Sequence, residues 1–264
     1  PEFIQYDADR LFKIDQTIKS IFRIIIFNRN HKQFDLLDRY LEAVEHLRDV
    51  LSIKNAQQEA QSVEEAAEYL EGLKEGLSMI VDEVADQKTL EQPLDLFYLI
   101  RTIAPDAAAR NPNHYRQTEV QFGPCSGASP HEIPGLVEQL FHVLPSIPHP
   151  VIRAIYLHHE LVRIHPFVDG NGRLSRMAKN WVLMFELYPP MFIGDFADKT
   201  NYIEKLQESF LAIEATPNQS HPATASFFED ELKRLKASAG FILERMKKNP
   251  NLTFDTLTTG GADA

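Results

Sequence analysis

Apolar residues along most of this chain recur at intervals of three and four, the spacing that places them on one face of an α-helix. From Phe34 to Leu51 the apolar stripe predicts one amphipathic helix. Ser62 and Glu65 then form an S-x-x-E capping box, which opens a second stripe that runs to Val84. The early part of the chain is therefore predicted to consist of helices.

The later part of the chain continues largely in the same way. Ser129-Pro130 is another helix start signal, with Pro130 at the first helical position, and the helix behind it runs to Val143. Further helices are predicted over residues 151–164, 173–187, 200–213 and 225–248.

One segment departs from the helical spacing. Residues 115–122 alternate in character and are followed by Gly123-Pro124, which predicts a short β-hairpin or an extended flap. Residues 252–264 are rich in Thr and Gly and are expected to form a loose tail. The whole pattern predicts a mainly α fold with one short β-hairpin.

Composition narrows the class of protein. A chain of 264 residues that is 44% apolar and 25% charged is ordinary for a globular protein, which excludes wholesale disorder. Its single cysteine, Cys125, excludes an internal disulfide framework and favours a reducing, cytoplasmic compartment. The longest apolar runs, such as residues 24–27, are too short to span a bilayer, and no signal-peptide pattern opens the chain. We therefore expect no membrane partner.

The net charge of −11 is unevenly distributed. Residues 35–91 hold 15 acidic against 5 basic residues, whereas the remainder is close to neutral. Such an acidic block opposes contacts with phosphates, so no nucleic-acid partner is expected. The block is interpreted as solvated helix faces, and exposed stripes on these early helices would allow a homodimer.

Candidate chemistry is concentrated in residues 164–176, I-H-P-F-V-D-G-N-G-R-L-S-R. Pro166 disfavours helical angles at His165, so the preceding helix is expected to end there. Gly170 and Gly172 permit positive φ, which allows successive backbone N–H groups to point into one concavity. Because the next helix begins near Arg173, its N-terminal N–H groups face the same concavity. The turn therefore predicts a phosphate site made of backbone.

The side chains of this stretch fit an anion site. Arg173 and Arg176 lie three residues apart on one helix face, where two guanidinium groups can clamp phosphate oxygens. Asp169 supplies the oxygen ligand that Mg²⁺ prefers. His165 has an ordinary pKa near 6.5 and can accept a proton at neutral pH. A base, a metal ligand, an anion-binding turn and an arginine clamp thus lie within twelve residues.

These residues resemble the signature of the Fic family, H-P-F-x-[D/E]-G-N-G-R-x-x-R, at every defined position from His165 to Arg176. The resemblance covers roughly residues 94–235. It includes a segment similar to the family's flap and a Y-x-x-x-L helix, formed by Asn113, Tyr115, Arg116 and Val120 and by Tyr202 and Leu206. It implies a compact Fic-type helical bundle with residues 92–236 as the catalytic domain, 1–91 as an N-terminal helical region and 237–264 as a helix end and tail.

The resemblance implies an enzyme that transfers AMP from Mg-ATP to a Ser, Thr or Tyr hydroxyl of a target protein and releases pyrophosphate. His165 would be the general base, and Asp169 would hold Mg²⁺ against the α- and β-phosphates of ATP. Arg173 would stabilise the β-phosphate and the leaving pyrophosphate, and Arg176 would contact the γ-phosphate. The α- and β-phosphates would also be bound by the turn of Gly170, Asn171 and Gly172.

Other implied features are less local. The flap residues Thr118, Glu119 and Val120 would align a target segment by strand addition. Tyr202 would wall the adenine pocket. A branch of the family that transfers the γ-phosphate resembles the pattern with Lys at the position of Gly172, so the glycine here favours adenylyl transfer.

The chain departs from the family in one respect. Many Fic proteins carry an inhibitory helix, [S/T]-x-x-x-E-[G/N], whose Glu pairs with the second arginine of the signature. The best candidate here is residues 50–55, where Lys54 stands at the position of the Glu. A lysine opposite Arg176 would repel it, so we expect this autoinhibition to be absent or degenerate. The alternative is that residues 50–55 are simply a helix end.

Two further functions remain open at this point. The same anion site could transfer another nucleotide or phosphate-containing group such as UMP, or the chain could be a non-catalytic nucleotide-binding module. The presence of His165 argues against the second, because a pure binder has no use for a base there. Zinc is not expected, because the residue four positions after His159 is Arg163 rather than the histidine that an H-E-x-x-H site needs.

Overall fold

The computed structural model describes residues 4–30, 43–46, 56–57 and 60–246, and these form a mainly helical fold. In chain order its longer elements are α1 (Ala8–Asn30), α2 (Val63–Ala85), α3 (Pro93–Ile103), α4 (Pro105–Arg110), β1 (Gln121–Phe122), β2 (Cys125–Ser126), α5 (Ile133–Val143), α6 (Pro150–Ile164), α7 (Asn171–Phe185), α8 (Phe196–Ala215) and α9 (Pro222–Met246). A short 3₁₀ turn, Leu144–Ser146, follows α5. The predicted mainly α fold with one hairpin is confirmed.

Helices α6 and α7 form the centre of the fold and pack against each other. Twelve of the fifteen residues of α7 are buried, and among them are polar side chains such as Lys179 and Asn180. Helices α2 and α3 pack on α7, while α9 contacts α6 and packs against α8 and α1. Since buried polar groups need partners, this arrangement requires a polar network inside the bundle.

Local start signals explain where most helices begin. The Ser62 hydroxyl accepts a hydrogen bond from the Glu65 N–H, 3.1 Å away, as the capping box predicts, whereas the Glu65 carboxylate binds the Gln61 N–H. The predicted start of a helix at Pro130 is wrong, because residues 129–132 form a turn and α5 begins at Ile133. Two start signals compete here, and the fully buried Ile133 belongs to the helix that packs.

The remaining predicted helices agree with α6 to α9, with ends displaced by a few residues. Of the helix predicted from Phe34 to Leu51, the structure describes only residues 43–46, and these are helical. Residues 50–55, with Lys54, and the tail at 252–264 lie outside the described residues.

The predicted hairpin is present, but its paired strands are short and lie at the end of the segment that alternates. Gln121 pairs with Ser126 and Phe122 with Cys125 in antiparallel register. The turn between them contains Gly123, whose φ of 61° suits glycine. Thr118, Glu119 and Val120 lead into β1 without being part of it, and the chain bends at Thr118.

The hairpin rests on α8. The Cys125 thiol is buried and lies 3.8 Å from the Gln207 carbonyl oxygen. A Cβ atom at Gly123 would meet the side chain of the same Gln207. These contacts fix the hairpin against the side of α8. Among the described helices, none combines the length and the apolar character that a membrane span needs.

Candidate active site

The end of α6 places His165 at a sharp reversal of the chain. His165 caps the helix in the left-handed conformation, with φ 55° and ψ 60°, and its N–H still donates to the Leu161 carbonyl at 3.0 Å. Pro166 follows, so the helix ends where the sequence predicts. The reversal directs residues 166–170 back toward the start of α7, which begins at Asn171.

The Asn171 side chain braces this loop from inside. Its Oδ1 accepts the Phe167 N–H at 2.9 Å, and its Nδ2 donates to the Phe167 carbonyl at 2.8 Å. Asn171 is 2% exposed, so both bonds are buried. Any contact of this residue with a phosphate must therefore come from its backbone, while its side chain fixes the shape of the turn.

The two positions of the turn that hold glycine each require it for a different structural reason. Gly170 has φ 76°, and a Cβ atom there would lie 3.0 Å from side-chain carbons of Ala104 and Ile100. Gly172 lies in the first turn of α7, where a Cβ atom would come within 3.2 Å of Nη1 of Arg176. Gly170 thus permits the turn to pack on the end of α3, and Gly172 leaves room for the arginine side chain.

The first turn of α7 supplies an anion-binding end. Leu174 N–H already bonds the Gly170 carbonyl at 2.8 Å, so the N–H groups before it have no acceptor within the helix. These groups and the helix dipole favour a negative charge at this end. The structure therefore agrees with the backbone geometry expected of a phosphate site.

Arg173 is covered by α2. Its guanidinium carbon lies 3.8 Å from the centre of the Tyr69 ring, a cation–π contact, and its Nη1 donates to the Ile103 carbonyl at 3.4 Å. The Tyr69 hydroxyl donates to Glu65 at 2.6 Å. Burial, with the bond to Glu65, raises the pKa of Tyr69 to about 12. Arg173 and Asp169 both line a cavity of about 290 Å³ between α2 and the α3–α4 corner.

Arg176 is also buried, at 9% exposure. It hydrogen-bonds to Tyr202 of α8, and burial lowers its pKa from the ordinary value. Burial and the nearby charge of Arg176 also lower the pKa of Lys199. Tyr202 itself is 5% exposed and its hydroxyl is 2.8 Å from Nε2 of His158. The structure thus places Tyr202 against Arg176, in the protein interior.

The imidazole of His165 is held on two sides. The Phe122 ring stacks on it with centroids 4.5 Å apart and planes inclined by 14°. Nδ1 lies 3.3 Å from the Val162 carbonyl oxygen, which can only accept, so Nδ1 carries the proton and Nε2 keeps a lone pair. Burial lowers the pKa of His165 to about 4, assisted by the charge of Arg116 and opposed by the Val162 bond and by Asp169. At neutral pH this histidine is therefore an uncharged proton acceptor.

Arg116 makes structural contacts that the sequence did not indicate. It is 1% exposed and crosses from the flap to the end of α6. Its donors bind four backbone carbonyls, those of Thr118, Ala128, Ile164 and His165. The only sequence signal for it was its place in the segment similar to the family's flap. Its contacts join the flap to the end of α6, where the loop of residues 166–170 begins.

Asp169 is partly exposed at the mouth of the loop. One carboxylate oxygen accepts the Gly170 N–H at 2.6 Å, and the other lies 3.9 Å from Nη2 of Arg110. The described residues contain no group of three or more metal-ligating side chains. A single carboxylate fits Mg²⁺, which is commonly bound by one or two carboxylates together with substrate phosphates.

Comparison with solved structures identifies the fold. The chain is similar to a Fic domain containing signaling protein from Bacteroides thetaiotaomicron, at 24% identity and a TM-score of 0.59 over 90% of this chain and 97% of that one. It is also similar to Fic-1 from C. elegans, at 18% identity and a TM-score of 0.62 over 89% of this chain and 73% of that one. The fold is that of Fic-domain proteins.

The sequence comparison agrees with this fold. The model of the Fic/DOC family matches residues 89–183, so this part of the chain is similar to that family. A protein adenylyltransferase Fic from Nematostella vectensis is 27% identical over 79% of this chain and 52% of its own length. One from Drosophila grimshawi is 36% identical over 38% of this chain and 21% of its own length. The chain thus spans about half or less of the length of these curated relatives.

Proposed function

We propose that this chain transfers AMP from Mg-ATP to a Ser, Thr or Tyr hydroxyl of a target protein and releases pyrophosphate. The observation that carries the proposal is His165, an uncharged imidazole whose Nε2 keeps a lone pair beside the anion-binding end of α7. The relatives that are named protein adenylyltransferases support the same reaction.

The chemistry assigns one task to each group. Nε2 of His165 accepts the hydroxyl proton while the hydroxyl oxygen attacks the α-phosphorus, and the bond from that phosphorus to the β-phosphate oxygen breaks. The N–H groups at the start of α7, with Arg173 and Arg176, hold the phosphates and stabilise the charge on the leaving pyrophosphate. Asp169 would hold Mg²⁺, which neutralises charge on the phosphates when bound.

The flap would present the target. The Val120 carbonyl accepts a hydrogen bond from the Gly127 N–H at 3.0 Å, and the Thr118 carbonyl accepts one from Arg116 at 2.7 Å. Glu119 lies between these two residues, and we assign the pairing with a target strand to its backbone groups. The buried, reduced Cys125 suits a reaction in the cytoplasm.

The test is nucleotide transfer followed by mass spectrometry. The protein is incubated with Mg²⁺ and each nucleoside triphosphate, alone and with lysate, and modified proteins are identified from intact and peptide masses. We expect a gain of one AMP with ATP only, lost in His165→Ala and kept in His142→Ala, a matched change at an exposed position of α5. A UMP or phosphate adduct would replace the proposal with another transfer. Adducts that persist in His165→Ala would refute the role of the base.

A further inference from the structure

A chain of polar side chains runs from Arg176 into the interior across three other helices. Tyr202 of α8 hydrogen-bonds to Arg176 on one side, and its hydroxyl lies 2.8 Å from Nε2 of His158 of α6 on the other. The rings of Tyr202 and His158 are stacked, 5.6 Å apart with an interplanar angle of 18°. Nδ1 of His158 lies 3.4 Å from Oε2 of Glu231 in α9.

The donors and acceptors along this chain favour one position for each proton. A guanidinium group can only donate, so the Tyr202 oxygen accepts from Arg176, and the acceptor that lies within reach of its own proton is Nε2 of His158. Burial, aided by the charge of Lys179, lowers the pKa of His158 to about 4, so the ring is neutral and carries one proton. We place that proton on Nδ1, whose 3.4 Å contact with the Glu231 carboxylate is electrostatic and lacks hydrogen-bond geometry.

The far end of the chain is a fixed anion. Glu231 is fully buried, and its two oxygens are bound by Lys179 at 2.5 Å and by Nη1 of Arg234 at 2.8 Å. Burial alone would raise the pKa of Glu231, but the charge of Lys179, together with His158 and the charge of Arg234, outweighs it and holds the pKa well below its usual range. Asp198 of α8 in turn holds Arg234 at 2.5 Å. Glu231 is therefore charged and immobile.

We propose that Tyr202, His158 and Glu231 form a positioning relay, which holds the Arg176 guanidinium in one orientation for a phosphate of the substrate. The relay deepens the proposed function, because it rests on the assignment of Arg176 to phosphate binding. An arginine that is already ordered loses less side-chain entropy when the phosphate binds. Tyr202 then acts through Arg176 and not as a wall of the adenine pocket.

The test compares a ligand that has a base with one that has none. Tyr202→Phe keeps the ring and removes the oxygen, and Tyr188→Phe is the matched control, since its hydroxyl binds Asp15 at 2.8 Å on α1. Dissociation constants of Mg-tripolyphosphate and Mg-ATP are measured by calorimetry. In Tyr202→Phe both dissociation constants should rise by roughly tenfold, which is the effect of losing about one hydrogen bond to a charged group. Tyr188→Phe should leave both within about twofold of the wild type.

Each other outcome has a definite meaning. Weaker binding of Mg-ATP alone would overturn the relay and return Tyr202 to the adenine pocket. Unchanged binding of both ligands would overturn the relay but leave the anion site. A wild-type protein that binds neither ligand would overturn the anion site and the relay together.

A measurement on the wild type does not depend on whether the variant folds. Nitrogen NMR of the histidine rings reports which nitrogen of His158 carries the proton. We expect a neutral ring that is protonated on Nδ1 between pH 6 and 8. A ring protonated on Nε2 would overturn the relay, because Tyr202 could then not donate to it.

Discussion

Replacement of Asn171 by alanine should destabilise the protein and slow the proposed AMP transfer, both for one structural reason. The change removes both bonds to Phe167 and leaves a buried N–H and a buried carbonyl without partners. Each unpaired group costs about 1–3 kcal/mol, which is reduced where water enters, so we expect a loss of about 2–4 kcal/mol in the free energy of unfolding. For a chain of this size the melting temperature should fall by about 5–15 °C.

The same helix contains a matched control. Asn180 accepts the Met191 N–H at 2.8 Å and donates to the Met191 carbonyl at 3.0 Å, so it braces the loop after α7 as Asn171 braces the loop before it. Asn180→Ala should lose a similar amount of stability, because it removes the same two kinds of bond. It lies nine residues further along α7, about 13 Å from the phosphate turn, and should keep its activity.

Two assays separate stability from catalysis. Urea unfolding gives the free energy of unfolding, and AMP transfer is measured well below both melting temperatures. Asn171→Ala should be slower on the order of 10–100-fold, the effect of misplacing catalytic groups by about 1 Å, while Asn180→Ala stays within about twofold. Equal activities of the two variants would refute the idea that Asn171 shapes the turn. A loss of less than about 0.5 kcal/mol in Asn171→Ala would refute the stability estimate.

Two further predictions follow from the loop. Gly170→Ala should lose about 2 kcal/mol of unfolding free energy, because φ at this position is 76° and the added Cβ would crowd Ala104. The control is Gly135→Ala in α5, which has open space around the added Cβ and should be neutral or stabilising. Equal urea midpoints of the two variants would contradict this prediction. Because the uncharged form of His165 is the active one and its pKa is lowered to about 4, the transfer rate should be nearly flat between pH 5 and 8. A rate that falls by half near pH 6.5 would show an unshifted histidine.

The sequence predicts best where the signal is local. The stretch from His165 to Arg176 is contiguous, so its turn, its helix start and the common helix face of its two arginines follow from backbone preferences alone. Helices α6 to α9 were predicted within a few residues, because each has a buried apolar stripe of the helical period. The start of α5 was not predicted correctly, because Pro130 and Pro134 are equivalent helix start signals and only packing decides between them.

Long-range contacts explain what the sequence did not indicate. His158, Tyr202 and Glu231 are 29 or more residues apart, and no spacing relates them. The bracing role of the Asn171 side chain could not be predicted for another reason. The sequence predicts that its turn binds phosphate through the backbone, but it does not say where the side-chain amide points. The burial of Tyr202 likewise depends on how α8 packs against α6 and α9.

The groups of the proposed active site therefore lie close together in the sequence, but the side chains that hold them in place come from distant parts of the chain. Arg116 ties the flap to the end of α6, Asn171 closes the loop, and the relay under Tyr202 holds Arg176. Each support is buried and polar, and each binds through donors and acceptors that an apolar residue of the same size does not have. A chain could keep all twelve residues of the signature and still lose their geometry through one of these positions. The signature thus contains the groups of the proposed reaction, and the supports outside it hold those groups in place.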